Sequence, residues 1–386
     1  MHLIVNALSS TNLSGRQVLC GHVLQWCRRA PAADRMTLLL HDGNMDVQAL
    51  LQEEGDGPLP ASLQIFRAPA FTAHWLGRSL YEHLRLGGLV RRLRADAYVS
   101  MSGGYVPRIP CPQYTLALNP WALVDTGPRP WRDALRARLQ RRAYRQAVRR
   151  ADGIGYGSRY MQGLYRANAG ARERNGAIVY PALSIREAAA LDAEAARHRP
   201  RDRHTILCVS LMARHKDIGA LCQVLRILRT RYDLPARLWL AGGWADPSYR
   251  NEIERAIGRL GLNAAVEITG HLSRSALRTA YTEARVYMLL SRSESFGIPA
   301  IEAQRVGTPV IAARCSAAPE VCGDGARYVD PGDAESAARL CAELMTDDAA
   351  WTALSKAARA NAQRFDYERT SRPLLAMMGV GVSASA

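Results

Sequence analysis

The residues best suited to chemistry lie in one short stretch, SESFGIPAIE (residues 293–302), which holds two carboxylates, a glycine and a proline. Proline is favoured at the first position of a helix, so the sequence predicts a helix from Pro299 to Val306. The preceding loop brings the backbone N–H groups of Ser295, Phe296 and Gly297 to the N-terminus of this helix. Unpaired donors and the positive end of the helix dipole meet there, so the stretch predicts a site for an anion.

Two acids, Glu294 and Glu302, flank this anion site, one before the helix and the other about one turn into it. Carboxylates accept hydrogen bonds from hydroxyl groups and do not bind phosphate. A ligand with sugar hydroxyls on both sides of a diphosphate, a nucleotide sugar, therefore fits the arrangement. The structural alternative is that Glu294 is a solvated loop acid and Glu302 an exposed helix residue.

Short apolar runs alternate with amphipathic stretches along most of the chain, which predicts α/β structure with mainly parallel sheets. At 386 residues the chain exceeds the usual size of a single hydrophobic core. We therefore expect two Rossmann-like domains that face each other across a ligand-binding cleft. The predicted division is a first, acceptor-binding domain over 1–183, a linker over 184–203, a second, nucleotide-sugar-binding domain over 204–365, a C-terminal helix over 366–378 that returns to the first domain, and a disordered tail over 379–386.

The composition limits the classes of partner. With 51 basic and 35 acidic residues the net charge is +16, so we expect an anionic partner: nucleic acid, a phospholipid surface or a phosphorylated substrate. No zinc spacing, aromatic-basic platform or recognition-helix motif supports nucleic acid. Eight cysteines without a CxxC pair indicate reduced thiols in a cytoplasmic protein. No apolar run approaches the roughly 18 residues that cross a bilayer, so any membrane contact is expected to be peripheral.

The stretch over residues 128–150 is strongly basic, with nine arginines and a single acid. Within it Trp131, Leu135 and Leu139 recur every four residues and form one apolar stripe on a helix. One interpretation is a surface helix that packs on its domain through this stripe. The other is a helix that lies on anionic lipid, where each basic group contributes about 1 kcal/mol. A second predicted helix, over residues 84–94, adds Arg85, Arg91, Arg92 and Arg94.

The longer stretch SESFGIPAIEAQRVGTPVIAARCSAAPEVCGDGARYVDPGD closely resembles the signature of the family 4 glycosyltransferases. The similarity continues upstream through VSLMARHKD and LWLAGG and downstream to FDYERTSRPLL, so it covers the C-terminal half. It implies a two-domain GT-B fold and transfer of a sugar from a nucleotide donor with retention of anomeric configuration. It also implies that no metal or other cofactor is required, and no DxD-type acidic pair argues otherwise.

The resemblance also implies roles for particular residues. The residue matching Glu294 contacts the donor hexose near the reacting centre, and the one matching Glu302 holds the ribose. Lys216 matches the phosphate-binding lysine, which neutralises the charge that builds on the departing diphosphate. The residues at the start of the helix face sugar and phosphate: Ser295, Phe296, Gly297 and Ile298.

The chain departs from the family pattern at several positions. Leu211 replaces an arginine expected five residues before the lysine, and Arg214 is the candidate substitute. Asn119 replaces a histidine expected after the fifth strand; it either hydrogen-bonds the sugar, as a candidate catalytic residue, or caps a turn. Gly15, in a glycine-poor turn after the first strand, is a candidate contact for the phosphates or the acceptor. His271 follows a strand and either lines the nucleotide pocket or is a surface residue.

We therefore predict a retaining hexosyltransferase that acts in cell-surface polysaccharide or glycolipid assembly. GDP-mannose, UDP-glucose and UDP-N-acetylglucosamine all fit as donors, and family analogy favours mannose. The predicted acceptor is a saccharide, free or linked to polyprenyl diphosphate, and the predicted location is the cytoplasm or the inner face of the plasma membrane, an anionic surface. The alternatives are a catalytically weak nucleotide-sugar-binding partner protein and a basic nucleic-acid-binding protein.

Overall fold

The computed structural model describes residues 1–31, 33–124, 130–197 and 201–380. The chain forms two compact units: a first domain of Met1–Ser184 with Asp366–Ala386, and a second domain of Ile185–Phe365. Each contains a parallel sheet with helices, so the predicted α/β class is confirmed. All eight cysteines lie in the described part and are free thiols. Among the helices of that part, none is both long and apolar enough to span a membrane.

The sheet of the first domain has seven parallel strands in the order β3-β2-β1-β4-β5-β6-β7. In β1, Leu3 and Val5 pack into the core on one face of the sheet and Ile4 into the core on the other. This alternation is the two-residue period of a strand that is buried on both faces. The strands are β1 His2–Asn6, β2 Arg35–Leu40, β3 Leu63–Arg67, β4 Ala97–Ser100, β5 Gln113–Ala117, β6 Gly153–Tyr156 and β7 Gly176–Ile178.

Helices cover both faces of this sheet. The first two pack on the face of Leu3 and Val5, whereas the next four pack on the face of Ile4. They are α1 Leu13–Arg29, α2 Val47–Glu54, α3 Trp75–Leu84, α4 Leu86–Arg92, α5 Trp131–Arg150 and α6 Arg159–Ala169.

The second domain has a six-stranded parallel sheet in the order β10-β9-β8-β11-β12-β13. The strands are β8 Asp202–Val209, β9 Arg237–Ala241, β10 Val266–Gly270, β11 Ala284–Leu289, β12 Val310–Ala313 and β13 Ala326–Val329. The helices are α7 Ile185–Ala196, α8 Ile218–Thr230, α9 Pro247–Arg259, α10 Arg274–Glu283, α11 Ile298–Arg305, α12 Ala318–Cys322, α13 Ala334–Thr346 and α14 Asp348–Ala362.

The stretch over 184–203, predicted as a linker, is mostly a helix of the second domain, since α7 occupies twelve of its residues. Alanine and glutamate favour helix, which explains why an alanine-rich stretch forms one. Leu191 is fully buried, and Glu194 accepts a hydrogen bond from Thr279 Oγ1 of α10 at 3.1 Å. Packing against α10 therefore attaches this helix to the second domain. Residues 198–200 of the predicted linker lie outside the described part.

The chain returns to the first domain at its C-terminal end. Two short helices, α15 Tyr367–Thr370 and α16 Arg372–Met377, occur where a single helix over 366–378 was predicted. Ser371 Oγ lies within hydrogen-bonding distance of His22 Nδ1 of α1, at 2.8 Å, and both residues are buried. We call the stretch over 366–378 the return segment, and it is therefore part of the first-domain core.

Of the predicted disordered tail over 379–386, the structure describes residues 379 and 380, and these continue the packing of the first domain. Val380 is only 5% exposed and belongs to the core on the α1 face of the first domain. Its apolar side chain thus extends the packing of the return segment by two residues beyond Met378. Residues 381–386 of the predicted tail lie outside the described part.

Gly21 of α1 tests the docking of the return segment, because a methyl group at this position would lie 2.2 Å from the ring of Tyr367. We expect Gly21→Ala to lower the free energy of unfolding by ~1–3 kcal/mol, the usual cost of overpacking. Gly163 of α6 is a matched control, since a methyl group there would meet no atom within 4 Å. Gly163→Ala should raise the free energy of unfolding by about 0.5–1 kcal/mol. Urea unfolding measures both, and a Gly21→Ala variant as stable as wild type would contradict this packing.

Candidate functional site

The loop around Glu294 joins the end of β11 to the start of α11. Strand β11 is buried over its whole length between β8 and β12. Helix α11 begins at Ile298, one residue before the predicted start, with Pro299 in its first turn. Gly297 precedes it with a φ of 98°, a left-handed conformation that glycine adopts without steric cost. The predicted succession of strand, loop and helix is therefore confirmed.

Phe296 anchors this loop to the second domain. It is 3% exposed, and its ring meets the ring of Phe365 edge-on at a centroid distance of 5.3 Å. Because this side chain points into the core, only its backbone is left for the predicted ligand contact. Ser295, Gly297 and Ile298 are half-buried, and their ligand contacts stay predictions.

Glu294 forms an ion pair with Lys216. The Oε1 and Nζ atoms are 2.5 Å apart, and the two side chains are 9% and 16% exposed. Lys216 closes a short 3-10 turn that follows β8, and β8 pairs with β11, so the parallel strands bring both residues to the same edge of the sheet. The backbone N–H of Glu294 also donates to Ser316 Oγ at 2.9 Å. The structural alternative, in which Glu294 is a solvated loop acid, is therefore wrong.

Lysine is rare in this chain. Only Lys216 and Lys356 are lysines among the 51 basic residues, and the others are arginines. An ammonium group is a compact charge on a flexible stem, whereas guanidinium is planar and broader. Lysine at position 216 was therefore a signal in the sequence, shared only with Lys356 of the same domain.

Glu302 lies one turn into α11 and is 6% exposed, so the structural alternative of an exposed helix residue is wrong as well. The hydroxyl of Tyr281 donates to its Oε2 at 2.7 Å, and Arg274 Nη1 lies 3.7 Å from its Oε1. Burial raises the pKa of Glu302 above its usual value, and the Tyr281 hydroxyl and the charge of Arg274 oppose that rise. Glu302 is therefore a buried acid with hydrogen-bonding and ionic partners.

Tyr281 and Arg274, both on α10, were missed by the sequence analysis. Arg274 lies 3.5 Å from Glu187 of α7 as well as near Glu302, and Arg278 lies 3.1 Å from the same Glu187 oxygen. Acids and arginines thus alternate across three helices. The only signal in the sequence is the four-residue spacing of Arg274 and Arg278, which places these two arginines on one face of α10.

The structure places Arg214, the candidate substitute for the missing family arginine, with other partners. Its Nη1 atom is 2.8 Å from Glu252 Oε2, and its guanidinium lies 5.0 Å from the centre of the Tyr249 ring. Both contacts are with α9, so they direct the side chain toward that helix. Leu211, which stands where the family pattern has an arginine, is exposed.

His271 lies among the turns that follow the strands of the second sheet. It is exposed, and a methyl group on Gly243 would lie 2.6 Å from its Nε2. The neighbouring Gly242 has a φ of 130° and backs onto the Ser210 carbonyl. These residues follow β8, β9 and β10, so His271 shares the carboxyl edge of the sheet with Lys216.

The two predicted site residues of the first domain take part in local caps. Asn119 Oδ1 accepts the Trp121 N–H at 2.9 Å, as in the alternative that it caps a turn. The Gly15 N–H donates to Asn12 Oδ1 at 2.7 Å, which caps α1. Asparagine is a preferred N-cap, so Asn12 was a signal for this helix start in the sequence.

The Glu294–Lys216 pair can be tested without a ligand. Lys216→Met leaves a buried carboxylate without its cation and should lower the free energy of unfolding by roughly 3 kcal/mol, the lower end for buried pairs. The double variant Lys216→Met with Glu294→Gln should lower the free energy of unfolding by less than the sum of the two single changes, because it leaves no unpaired charge buried. Lys356→Met, at the exposed lysine, serves as the control and should change stability by less than about 0.5 kcal/mol. Strictly additive effects in urea unfolding would show that the pair does not form.

Glu302 should give stability a defined pH dependence. A carboxyl with a raised pKa binds more protons in the folded state than in the unfolded state, so its contribution is lost as pH rises above its ordinary value of 4.5. In Glu302→Gln this loss is absent. The free energy of unfolding of the variant minus that of wild type should therefore be smallest near pH 4 and grow toward neutral pH. A difference that is constant with pH would refute the effect of burial.

Comparison with known sequences finds a family model that matches most of the second domain. Residues 192–364 match the model of the family described as glycosyl transferases group 1. D-inositol 3-phosphate glycosyltransferase of Corynebacterium urealyticum is 30% identical over 210 residues, 52% of this chain and 50% of that protein. O-antigen chain mannosyltransferase B of Escherichia coli is 30% identical over 165 residues, 42% of each chain. The chain thus spans about half the length of the curated relatives it matches.

Comparison with solved structures extends over the whole chain. The Anabaena protein Alr3699/HepE, solved in complex with UDP and glucose, superposes with a TM-score of 0.71 at 18% identity and covers 98% of this chain and 99% of its own. WaaG, a glycosyltransferase involved in lipopolysaccharide biosynthesis, gives a TM-score of 0.67 at 14% identity over 99% of this chain and 100% of its own. These likenesses show the fold. The chain has the GT-B fold, and its second domain matches the glycosyl transferases group 1.

Proposed function

We propose that this protein is a retaining glycosyltransferase of family 4 that moves a hexose from a nucleoside diphosphate sugar to a saccharide or lipid-linked acceptor. The observation that carries the proposal is the buried Glu294–Lys216 pair beside the N-terminus of α11, with Glu302 one turn further on. Two acids and one cation around a helix N-terminus match the hydroxyls and phosphates of such a donor.

The diphosphate would lie between Lys216 and the first turn of α11. An ammonium group has three N–H donors, so Lys216 can bind a phosphate oxygen while it keeps its contact with Glu294. The helix N-terminus adds partial positive charge on the other side. This arrangement neutralises the charge that builds on the leaving diphosphate, and we propose that it does so without a metal or other cofactor.

The two acids would bind the two sugars of the donor. Glu294 would orient the hexose and stabilise the positive charge that develops at its anomeric carbon. Glu302 would accept hydrogen bonds from the ribose hydroxyls, while Tyr281 and Arg274 fix the carboxylate through the contacts described above. A carboxylate that is already buried and oriented loses little freedom when the ligand binds.

Retention requires that the acceptor attack from the face that the leaving group occupies. The acceptor hydroxyl oxygen forms the new bond to the anomeric carbon as the bond to the diphosphate oxygen breaks. The hydroxyl proton passes to the departing phosphate, so that no separate base is needed. Asn119 is not assigned to this step, because its side-chain oxygen accepts from Trp121.

The nature of donor and acceptor is supported by relatives alone. An E. coli relative is named a mannosyltransferase, which favours GDP-mannose, whereas the Anabaena protein was solved with UDP and glucose, which favours UDP-glucose. The names of the relatives point to inositol phosphate and O-antigen chains as acceptors. We propose a cytoplasmic enzyme with a saccharide or polyprenyl-diphosphate-linked acceptor in surface polysaccharide or glycolipid assembly.

Nucleotide binding tests the proposal first. UDP or GDP at 100 times its dissociation constant should stabilise the protein by ~2.7 kcal/mol in a thermal-shift or calorimetric assay. Lys216→Ala and Glu302→Gln should reduce this shift, whereas Lys356→Ala should retain it. Absence of stabilisation by every nucleoside diphosphate would reject the proposal.

A measurement of turnover distinguishes sugar transfer from nucleotide-sugar binding alone. Release of nucleoside diphosphate from a bound nucleotide sugar should fall about 10²–10³-fold in Lys216→Ala, the usual loss for one preorganised donor. Glu294→Ala should abolish it. Binding without any release in wild type would favour the alternative of a nucleotide-sugar-binding partner protein, which Leu211 and Asn119 in place of the family arginine and histidine also favour.

A further inference from the structure

The described part of the first domain exposes an unusual set of large apolar side chains. Three lie at four-residue intervals on α5, three more at the same spacing on α3, and one immediately before α3. Each is between 47% and 71% exposed, and together they account for seven of the ten large hydrophobic side chains exposed in the described part of the chain. They are Trp131, Leu135 and Leu139, then Leu76, Leu80 and Leu84, and finally Phe71.

On α5 these side chains lie opposite the face that packs on the domain. The helix contacts the core through small and aromatic residues, including Ala137, Tyr144 and Ala147. At 100° per residue, the stripe that begins at Trp131 falls on the other side of the helix. The interpretation in which this stripe packs on the domain is therefore wrong, and the apolar face is directed outward.

Both helices cover the same face of the first sheet. The register of the strands places Ser100, Thr115 and Ile154 side by side, two residues from Tyr98, so the cores under α3 and α5 share a face. Burial lowers the pKa of Arg78 of α3, and the charge of Arg136 of α5 lowers it further, against the opposing effect of Glu82. Both apolar stripes therefore lie on helices that cover the same face of the sheet, and we call these two exposed stripes together the α3–α5 surface.

Arginines dominate the charge of the α3–α5 surface. Helix α5 carries eight arginines and one acid, Asp133, and α3 carries one arginine, Arg78, and one acid, Glu82. Glu82 accepts a hydrogen bond from Asn6 Nδ2 of the sheet, so it faces inward. Exposed arginines lie beside the α5 stripe, at Arg132, Arg138, Arg142 and Arg145.

We propose that the α3–α5 surface docks on an anionic phospholipid bilayer, with the leucines and Trp131 among the acyl chains and the arginines on the headgroups. Amphipathic helices with apolar and cationic residues bind such interfaces, and tryptophan is favoured at headgroup depth. A nucleic-acid duplex would leave the leucines without apolar partners. A second copy of this chain would bring two arginine-rich faces together.

Vesicle flotation of the full-length protein tests the proposal. We expect binding to vesicles that contain phosphatidylglycerol and not to pure phosphatidylcholine, with a loss of binding as salt is raised. Leu80→Ser with Leu135→Ser should weaken binding at least about tenfold, because apolar area is lost. Arg138→Gln with Arg142→Gln should weaken it and reduce its salt dependence. Ile185→Ser, an equally exposed apolar residue of the second domain, is the control and should bind as wild type.

Contrary results are equally specific. Equal binding by the leucine variant, or tighter binding to duplex DNA or RNA than to anionic vesicles, would overturn the proposal. The proposal would also be overturned if wild type formed a dimer in sedimentation, the leucine variant did not, and wild type bound no vesicles. Circular dichroism and the shift caused by UDP or GDP show that each variant is folded. The proposal is independent of sugar transfer, so its failure would leave nucleotide binding unaffected.

Discussion

A carboxylate and an ammonium group can leave water together only if they meet, and this constraint organises the second domain around Glu294 and Lys216. The two lie 78 positions apart and reach contact because β8 and β11 are adjacent and parallel. The backbone of the Glu294 loop is held in turn by Ser316 and by the buried ring of Phe296. The charged centre of the site thus depends on the order of strands in the sheet.

The same dependence extends to Glu302. Its buried carboxylate is stabilised by Tyr281 and Arg274 from α10, and Arg274 also lies near Glu187 of α7. Helix α7 therefore supplies an acid that shares the arginine with the site. This electrostatic link gives a physical reason why the alanine-rich stretch before residue 200 is a helix of the second domain and not a flexible connection.

The first domain shows how far a periodic pattern can be interpreted. The spacing of Trp131, Leu135 and Leu139 correctly predicts an apolar stripe on a helix, but α5 also carries Ala137 and Ala147 on the opposite side. Small residues let a helix approach the sheet closely, so that side packs inward and the larger residues are left outside. Periodicity identifies the two faces, and only the neighbouring elements choose between them.

Local physics let the sequence by itself determine the parallel α/β class and the start of α11 at Pro299 within one residue, and it indicated both acids of the candidate site. These features depend on residues close together in the chain. Tertiary structure decided that Lys216 meets Glu294, that Arg214 turns to Glu252, and that the residues after 184 belong to the second domain. Such contacts depend on which strands and helices become neighbours, and a pattern of adjacent residues carries no record of that choice.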